Sequence, residues 1–264
     1  MKRIILLVLL TMYFVLVSTA SPAIASKLIG NTFDGVLYDI DSGTGTASNS
    51  RSSGIDPLCG IEYINGNELF GLSTFGSIPA TSSLFQINIQ TGAYTLIGNT
   101  GITVTEGGLA YNSMNGLLYG CQASGPDLLY TIDMATGQAT TIGSVGSSDL
   151  SAISFDNNGN LYGLDTGSNQ ILTLDPTTGA TISSITPNIN LSAGGLAGFD
   201  NDPLTDILYV GFGTTLYTLN PVNGIFNEIG STGLSQNLAG IAFIPEPATV
   251  ALLGLGGLLL HKRK

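Results

Sequence analysis

A four-part strand pattern recurs along the chain about every 45 residues, and this repeat constrains the fold more than any other feature. Its clearest part is an alternating strand that ends in Asp or Asn and is followed four positions later by Gly. The five copies are Leu37–Asp41 with Gly45, Leu84–Asn88 with Gly92, Leu129–Asp133 with Gly137, Ile171–Asp175 with Gly179, and Leu216–Asn220 with Gly224. Asp or Asn opens a turn by accepting hydrogen bonds from nearby backbone, and Gly closes it with a positive φ. Each copy therefore predicts a β-hairpin.

Two further strands precede each hairpin. The first type is a short inner strand, found at residues 61–63, 109–111, 153–155, 196–199 and 241–243. The second type has a Leu-aromatic-Gly pattern, found at residues 69–71, 118–120, 161–163 and 208–211, with a degenerate copy at 28–30. Four short antiparallel strands per repeat are typical of a β-propeller blade. The sequence therefore predicts an all-β propeller rather than a disordered chain.

The two ends of the repeat region indicate five blades. The region begins at the second strand type, at Leu28, and ends on an extra inner strand, Leu238–Phe243. Pairing these terminal strands would complete one blade and close the ring without a free edge. A six-bladed ring would need another repeat, and an open solenoid would not explain the complementary ends.

The N-terminus has the organisation of a signal peptide. A basic start precedes the apolar stretch Ile4–Val17, and Ala23 and Ala25 supply the small residues that signal peptidase prefers. Cleavage after Ala25 would make Ser26 the mature N-terminus. The alternative is an uncleaved N-terminal anchor.

The C-terminus combines Pro245, Glu246 and Pro247 with an apolar run, Ala248–Leu260, and a basic end at 261–264. The two prolines disfavour helix and sheet pairing at the junction. Positive charges after an apolar segment favour retention on the cytoplasmic side of a membrane. An ordinary membrane anchor is the alternative, but 13 apolar residues fall short of the roughly 20 that a spanning helix needs.

This tail resembles the PEP-CTERM sorting signal of Gram-negative bacteria. The resemblance implies recognition of Pro245, Glu246 and Pro247 by an exosortase-like membrane enzyme. Transient anchoring in the inner membrane, cleavage near the motif and transfer to the cell surface or exterior would follow. It also implies an association with exopolysaccharide and biofilm production. The expected organisation is a signal peptide at 1–25, a propeller at 26–243 and a sorting signal at 244–264, with short hydrophobic helices at both termini.

The region between the two signals is strongly acidic. It keeps only Lys27 and Arg51 of seven basic residues, but 17 of the 18 acidic ones. Such a surface repels phosphate backbones, which argues against nucleic acid as a partner. The single histidine is His261, inside the tail, so a processed protein would lack histidine-based catalysis and histidine metal ligands.

No cofactor is predicted, although weak calcium candidates exist. Oxygen-bearing side chains alternate in two segments that also have the composition of turns: Asp156, Asn158, Asn160, Asp200 and Asp202. Calcium takes oxygen ligands, but the bidentate glutamate of an EF-hand loop is missing after Gly159. Turn formation is the simpler explanation for both segments.

Two other features leave alternatives open. Cys59 and Cys121 are placed across one blade boundary, where a disulfide or two separate buried thiols could result. The recurring Tyr and Phe residues predict packing between blades rather than a sugar-stacking platform, and Trp is absent. The loops expected on one face, the predicted recognition surface, are residues 73–83, 98–108, 122–127, 166–170 and 188–195.

These features favour a non-catalytic binding or matrix module for exopolysaccharide or an envelope protein. The alternative is an exported propeller enzyme, a carboxylate- or calcium-dependent glycan hydrolase or lyase. A structural spacer without a specific ligand is a third hypothesis.

Overall fold

The computed structural model describes residues 26–64, 68–74, 82–123, 127–147 and 149–245. Residues 27–244 form one compact unit. Both predicted terminal signals, apart from Ile244 and Pro245, lie outside the described residues, as do their expected hydrophobic helices. Within the described ranges, no helix is long and apolar enough to cross a lipid bilayer.

The regular secondary structure of the described chain is almost entirely β-strand. Its strands are β1 Ser26–Thr32, β2 Val36–Ile40, β3 Ala47–Ser52, β4 Leu58–Tyr63, β5 Leu69–Ser73, β6 Ser83–Ile87, β7 Tyr94–Asn99, β8 Leu109–Asn112, β9 Leu117–Gln122, β10 Leu128–Ile132, β11 Ala139–Ser144, β12 Leu150–Phe155, β13 Leu161–Asp165, β14 Gln170–Leu174, β15 Thr181–Ile185, β16 Ala197–Asp202, β17 Ile207–Phe212, β18 Thr215–Asn220, β19 Ile225–Ser231 and β20 Leu238–Pro245. A 3₁₀ turn, Leu191–Ala193, precedes β16.

These strands form five four-stranded antiparallel sheets arranged in a ring, which confirms the five-bladed propeller. Blade 1 has the strand order β20-β1-β2-β3, so the last strand pairs beside the first, as the complementary ends predicted. Blades 2 to 5 are β4–β7, β8–β11, β12–β15 and β16–β19. The ring is closed, and the six-bladed and open alternatives are wrong.

The recurring Asp/Asn and Gly residues build the turn between the third and fourth strands. In blade 1, Asp41 Oδ1 accepts hydrogen bonds from the backbone amides of Gly43 and Thr44, both at 2.9 Å. Gly45 donates its amide to the Asp41 carbonyl at 2.7 Å and has a φ of 80°. This confirms the predicted turn chemistry.

The same turn glycines also fit the turn against the neighbouring blade. A Cβ on Gly137 would lie 2.7 Å from the Gly98 carbonyl oxygen, and a Cβ on Gly45 would lie 2.4 Å from that of Gly230. Gly98 and Gly230 are each the penultimate residue of the fourth strand of the adjacent blade. Glycine is therefore required here for close contact between blades as well as for its φ.

The hydrophobic core is divided among the five junctions between adjacent blades, with one buried cluster at each. Aromatic pairs contribute to it: the rings of Tyr119 and Phe155 are 5.0 Å apart across blades 3 and 4, and those of Tyr209 and Phe243 are 4.8 Å apart across blades 5 and 1. Two further pairs, Phe85–Tyr94 and Tyr217–Phe226, lie within one blade, so the aromatic residues pack within blades as well as between them. Because the hydrophobic clusters lie between blades, a functional site would be formed by residues on the ring axis or on one of the two faces.

Candidate functional sites on the ring axis and the two faces

The axis of the ring is packed with small residues. Gly60, Gly108, Ala152, Gly198 and Gly240 occupy the same position on the five inner strands and line the narrowest part of the axis. A Cβ on Gly60 would lie 3.1 Å from the Gly108 Cα, and a Cβ on Gly240 would lie 3.1 Å from the Gly60 Cα. The remaining space is about 10 Å³, enough for at most about one water molecule. No substrate can pass through at this level.

Two carboxylic acids lie just beyond this constriction. Alternate residues of a strand share a face, so the next axial set of positions holds Glu62, Ala110, Ser154, Asp200 and Ala242. Glu62 is 6% exposed and Asp200 is 9% exposed. The axis therefore contains a buried acid pair, which we call the axial pair.

Backbone amides hold the axial pair in place. Asp200 accepts hydrogen bonds from its neighbour Asn201 at 2.8 Å and from Phe243, on the closing strand β20, at 2.7 Å. The backbone amide of Tyr111 interacts with the Glu62 carboxyl. Tyr111 and Phe243 occupy the same repeat position, so each acid contacts the inner strand of the next blade.

The surroundings of the axial pair favour its protonated forms. Burial raises the pKa of Glu62 well above its ordinary value, and the nearby charge of Asp200 raises it further. Burial also raises the pKa of Asp200 to about 7, although the Phe243 and Asn201 amides favour its ionised form. Lys27 and Arg51, the basic residues of the described chain, pair with Asp39 instead, so the two like-charged acids resist double ionisation.

The predicted calcium candidates do not form one site. Asp156 Oδ1 accepts the amides of Asn158 and Asn160 at 2.9 and 2.8 Å, and its Oδ2 accepts the Asn160 side chain at 2.7 Å. Asp202 accepts the Leu204 amide at 3.1 Å and the Thr205 hydroxyl at 2.8 Å. These carboxylates stabilise turns, which is the simpler explanation that the sequence offered.

The sequence pattern matched Asp200 with the turn residue Asp156 of the preceding blade, and this match is wrong. The strand β16 extends through Asp202, so Asp202 rather than Asp200 matches Asp156 in the turn. Asp200 lies on the inner strand and belongs to the axial pair. Among the described residues, no three His, Cys, Asp or Glu side chains form a group that could hold a metal ion.

Cys59 and Cys121 are free thiols in this structure, and both are fully buried. The alternative of a disulfide between Cys59 and Cys121 is therefore not found in the structure. The Cys59 thiol donates to the Leu72 carbonyl at 3.2 Å, and Cys121 Sγ accepts the Gly108 amide at 3.1 Å. Burial raises the pKa of both thiols, that of Cys121 to about 12.

Neither thiol should react with Ellman's reagent while the protein is folded, because the reactive species is the thiolate and both sulfurs are buried. After denaturation without reductant, two thiols per chain should be titrated. The measurement is the absorbance of released thionitrobenzoate in the two conditions. Fewer than two thiols after denaturation would show that a disulfide exists.

The predicted recognition loops do meet on one face, which we call the loop face. Hydrogen bonds join them across blade boundaries: the Val104 amide donates to Ser82 Oγ at 2.9 Å, and Ser192 Oγ donates to the Thr166 carbonyl at 2.6 Å. Parts of these loops, residues 75–81 and 124–126, lie outside the described residues. The described parts form a connected surface.

Acidic residues dominate the loop face where blades 3 and 4 meet. Four carboxylates lie there, those of Glu106, Asp127, Asp149 and Asp165. Burial raises the pKa of Glu106 and Asp149, and neighbouring aspartate charges raise both further. The two basic side chains of the described region are elsewhere, since Lys27 and Arg51 both pair with Asp39, at 2.9 and 2.8 Å. This part of the face disfavours anionic ligands.

The opposite face carries a groove along the edge of blade 5, which we call the blade 5 groove. Its volume is about 400 Å³, within the range of about 300–1,000 Å³ that is usual for small-molecule sites. The β16–β17 turn contributes Asp206 and Ile207, and the β18–β19 turn contributes Asn220 and Pro221. The sequence prediction had placed recognition on the loop face alone and did not anticipate this groove.

Comparisons with known proteins support the architecture and leave the family open. No protein-family model matches the chain, and no curated protein matches its sequence significantly. A solved structure of a nidogen/laminin complex aligns over 83% of this chain and 98% of its own, with 13% identity and a TM-score of 0.57. The fold is thus that of a β-propeller.

Two further solved structures resemble the chain. One is the structure of a symmetrical protein, described in terms of its de novo evolutionary emergence as shaped by folding constraints. It has 15% identity and a TM-score of 0.53 over 82% of this chain and 98% of its own. A protein of unknown function from Bacteroides thetaiotaomicron has 15% identity and a TM-score of 0.49 over 77% of this chain. The chain spans half the length of that Bacteroides protein.

Proposed function

We propose that the protein is an exported, non-catalytic binding module that acts at the cell surface or outside the cell, with exopolysaccharide or an envelope protein as its partner. The observation that carries the proposal is the packed axis, where five small residues leave about 10 Å³. Because a ligand larger than about one water molecule cannot enter the axis, recognition would fall to the two faces. The loop face and the blade 5 groove are the surfaces with suitable polar groups.

Export and processing rest on the terminal sequences. Signal peptidase would remove residues 1–25, and an exosortase-like enzyme would recognise the Pro245-Glu246-Pro247 motif. The motif begins directly after Ile244, at the end of the strand that closes the ring. Processing there would therefore release a complete propeller. The nidogen/laminin structure is one example of a similar fold within a protein complex.

A glycan hydrolase or lyase is the second candidate function, and one observation favours it. The axial pair supplies two carboxyls with raised pKa values, a property often found at catalytic sites. However, both acids are at least nine-tenths buried, and the constriction beside them excludes a sugar. Binding by the faces therefore accounts for more of the structure than catalysis on the axis.

A glycan array probed with the purified protein, with and without calcium, tests the proposal. We expect retention of one class of glycan without release of shortened products, and little dependence on calcium. Shortened products that disappear in a Glu62→Gln variant would establish the enzymatic alternative. The absence of binding to glycans and to envelope extracts alike would favour a structural spacer.

Replacing Pro245-Glu246-Pro247 by Ala-Ala-Ala should retain the protein in the inner membrane at its unprocessed mass. The physical reason is that the enzyme would lose its extended, proline-bounded recognition segment, while the apolar run remains. Fractionation and electrophoretic mobility in the native host measure this, with an Asn223→Ala variant on an exposed turn as the control. Unchanged location and mobility would mean that the tail is only an anchor.

A further inference from the structure

Strand register places four groove side chains on one side of blade 5. Thr218 pairs directly with Tyr209 on β17 and with Asn227 on β19. Residues that face each other across neighbouring strands project to the same side, and residues two apart along a strand do so as well. Ile207 and Asn220 therefore share this side with Thr218 and Asn227.

Several polar groups of this set have no partner within the described chain. The Thr218 hydroxyl and the Asn227 carboxamide make no hydrogen bond to the described residues. Asn220 uses its Oδ1 to accept the Val222 amide at 3.0 Å, which leaves its Nδ2 available. A carboxamide both donates and accepts, so the groove offers both kinds of hydrogen bond to a ligand.

An acceptor and an apolar patch complete the groove. Asp206 lines the groove; its Oδ1 accepts the Asn157 amide at 2.8 Å and the Asn201 side chain at 3.2 Å, while its Oδ2 makes no hydrogen bond to the described residues. Ile207 is 41% exposed and lies in the lining together with Pro221. Hydroxyl-bearing edges and an apolar C–H face are the features of a sugar ring that such a lining would contact.

The negative charge of the groove favours neutral sugars over anionic ones. Asp156 and Asp206 both line it, whereas Lys27 and Arg51, the basic residues of the described chain, pair with Asp39 in blade 1. A uronate, sulfate or phosphate would therefore meet repulsion without a compensating cation. We propose that the blade 5 groove binds a neutral hexose unit of a glycan, an inference that rests on the proposed binding function and locates it.

The repeat supplies a matched pair of variants. Asn227 lies three residues after the turn glycine of blade 5, as Ile182 does in blade 4, where it is 67% exposed and where Thr173 pairs with Ser183 instead. Asn227 is itself exposed and its side chain makes no hydrogen bond to the described residues, so Asn227→Ile should fold. The reciprocal change, Ile182→Asn, places the same carboxamide on a blade without the groove.

Titration calorimetry with neutral hexose oligosaccharides, alongside uronate-containing oligosaccharides of equal length, tests the inference. We expect the wild-type protein to bind a neutral oligosaccharide, Asn227→Ile and Thr218→Val each to weaken binding about tenfold or more, and Ile182→Asn to leave it unchanged. Thermal unfolding of the three variants verifies that they are folded.

Each contrary outcome has a distinct meaning. Wild-type binding that Asn227→Ile and Thr218→Val leave unchanged would overturn the groove inference while the proposed binding function stands. Preference for uronate-containing oligosaccharides would overturn the assigned ligand class. No binding of either oligosaccharide would overturn the groove inference, and retention of an envelope protein in the same preparation would still support the proposed function.

Discussion

The Glu62→Gln variant should be more stable than the wild-type protein at pH 8, by on the order of 1 kcal/mol or more, and equally stable at pH 4. Glutamine keeps the size of Glu62 and, like the protonated acid that the site favours, carries a hydrogen-bond donor and an acceptor without a charge. A difference of one pKa unit is worth about 1.4 kcal/mol. Burial raises the pKa of Asp200 from 3.8 to about 7, and that of Glu62 also rises.

The direction of this effect follows from proton linkage. Both acids bind protons more tightly in the folded chain than in the unfolded one. The contribution of Asp200 to the free energy of unfolding is therefore complete below about pH 4 and is lost as the pH rises through about 7. The contribution of Glu62 is likewise lost as the pH rises through its own raised pKa. Wild-type stability should fall across this window, and Glu62→Gln should flatten that fall because it removes one acid and one repulsion.

Urea unfolding at pH 4, 6 and 8 measures the effect. Glu228→Gln is the control, because Glu228 is exposed on β19 and its neutralisation changes the net charge of the protein equally. It should leave the slope of stability against pH close to that of the wild type. Equal slopes for wild type, Glu62→Gln and Glu228→Gln would show that the axial pair does not carry the pH dependence.

The Gly198→Ala variant should lose about 3 kcal/mol or more of stability, with a drop in melting temperature of roughly 6–12 °C. An added Cβ would lie 2.6 Å from the Gly240 carbonyl carbon and 2.7 Å from the Ile241 amide nitrogen. Both are backbone atoms of β20, so no side-chain rotation can relieve the contact. The closing strand would have to move away from blade 5.

Gly43→Ala is the matched control for this change. Gly43 lies in an exposed turn, where an added Cβ would come no nearer than 3.4 Å to a neighbouring atom, Asp41 Oδ1. Its melting temperature should stay within a few degrees of the wild type. A similarly small shift for Gly198→Ala would contradict the close packing of the axis.

Much of the fold could be predicted because the repeat encodes it locally. The Asp41-to-Gly45 spacing specifies a turn by itself, and its five copies set the number of blades. The unpaired strand types at Leu28 and Leu238 indicated how the ring closes. These features can be identified in the sequence without knowing which blades contact one another across the axis.

The sites were harder to predict because they depend on distant contacts. Glu62 stands out as an acid within an otherwise apolar inner strand, and this signal could have been used. Its approach to Asp200 depends on ring geometry and on β16 continuing past Asp200. The blade 5 groove depends on the register that aligns Thr218 with Asn227, which the sequence pattern does not specify.

The most direct test of the proposed function uses exopolysaccharide from the native host. The purified protein is incubated with the polymer, and both the fraction of protein retained and the chain length of the polymer are measured by size-exclusion chromatography. We expect wild-type protein to co-elute with polymer of unchanged length, and Glu62→Gln to behave identically. Polymer shortened by the wild type but not by Glu62→Gln would contradict the proposed non-catalytic function.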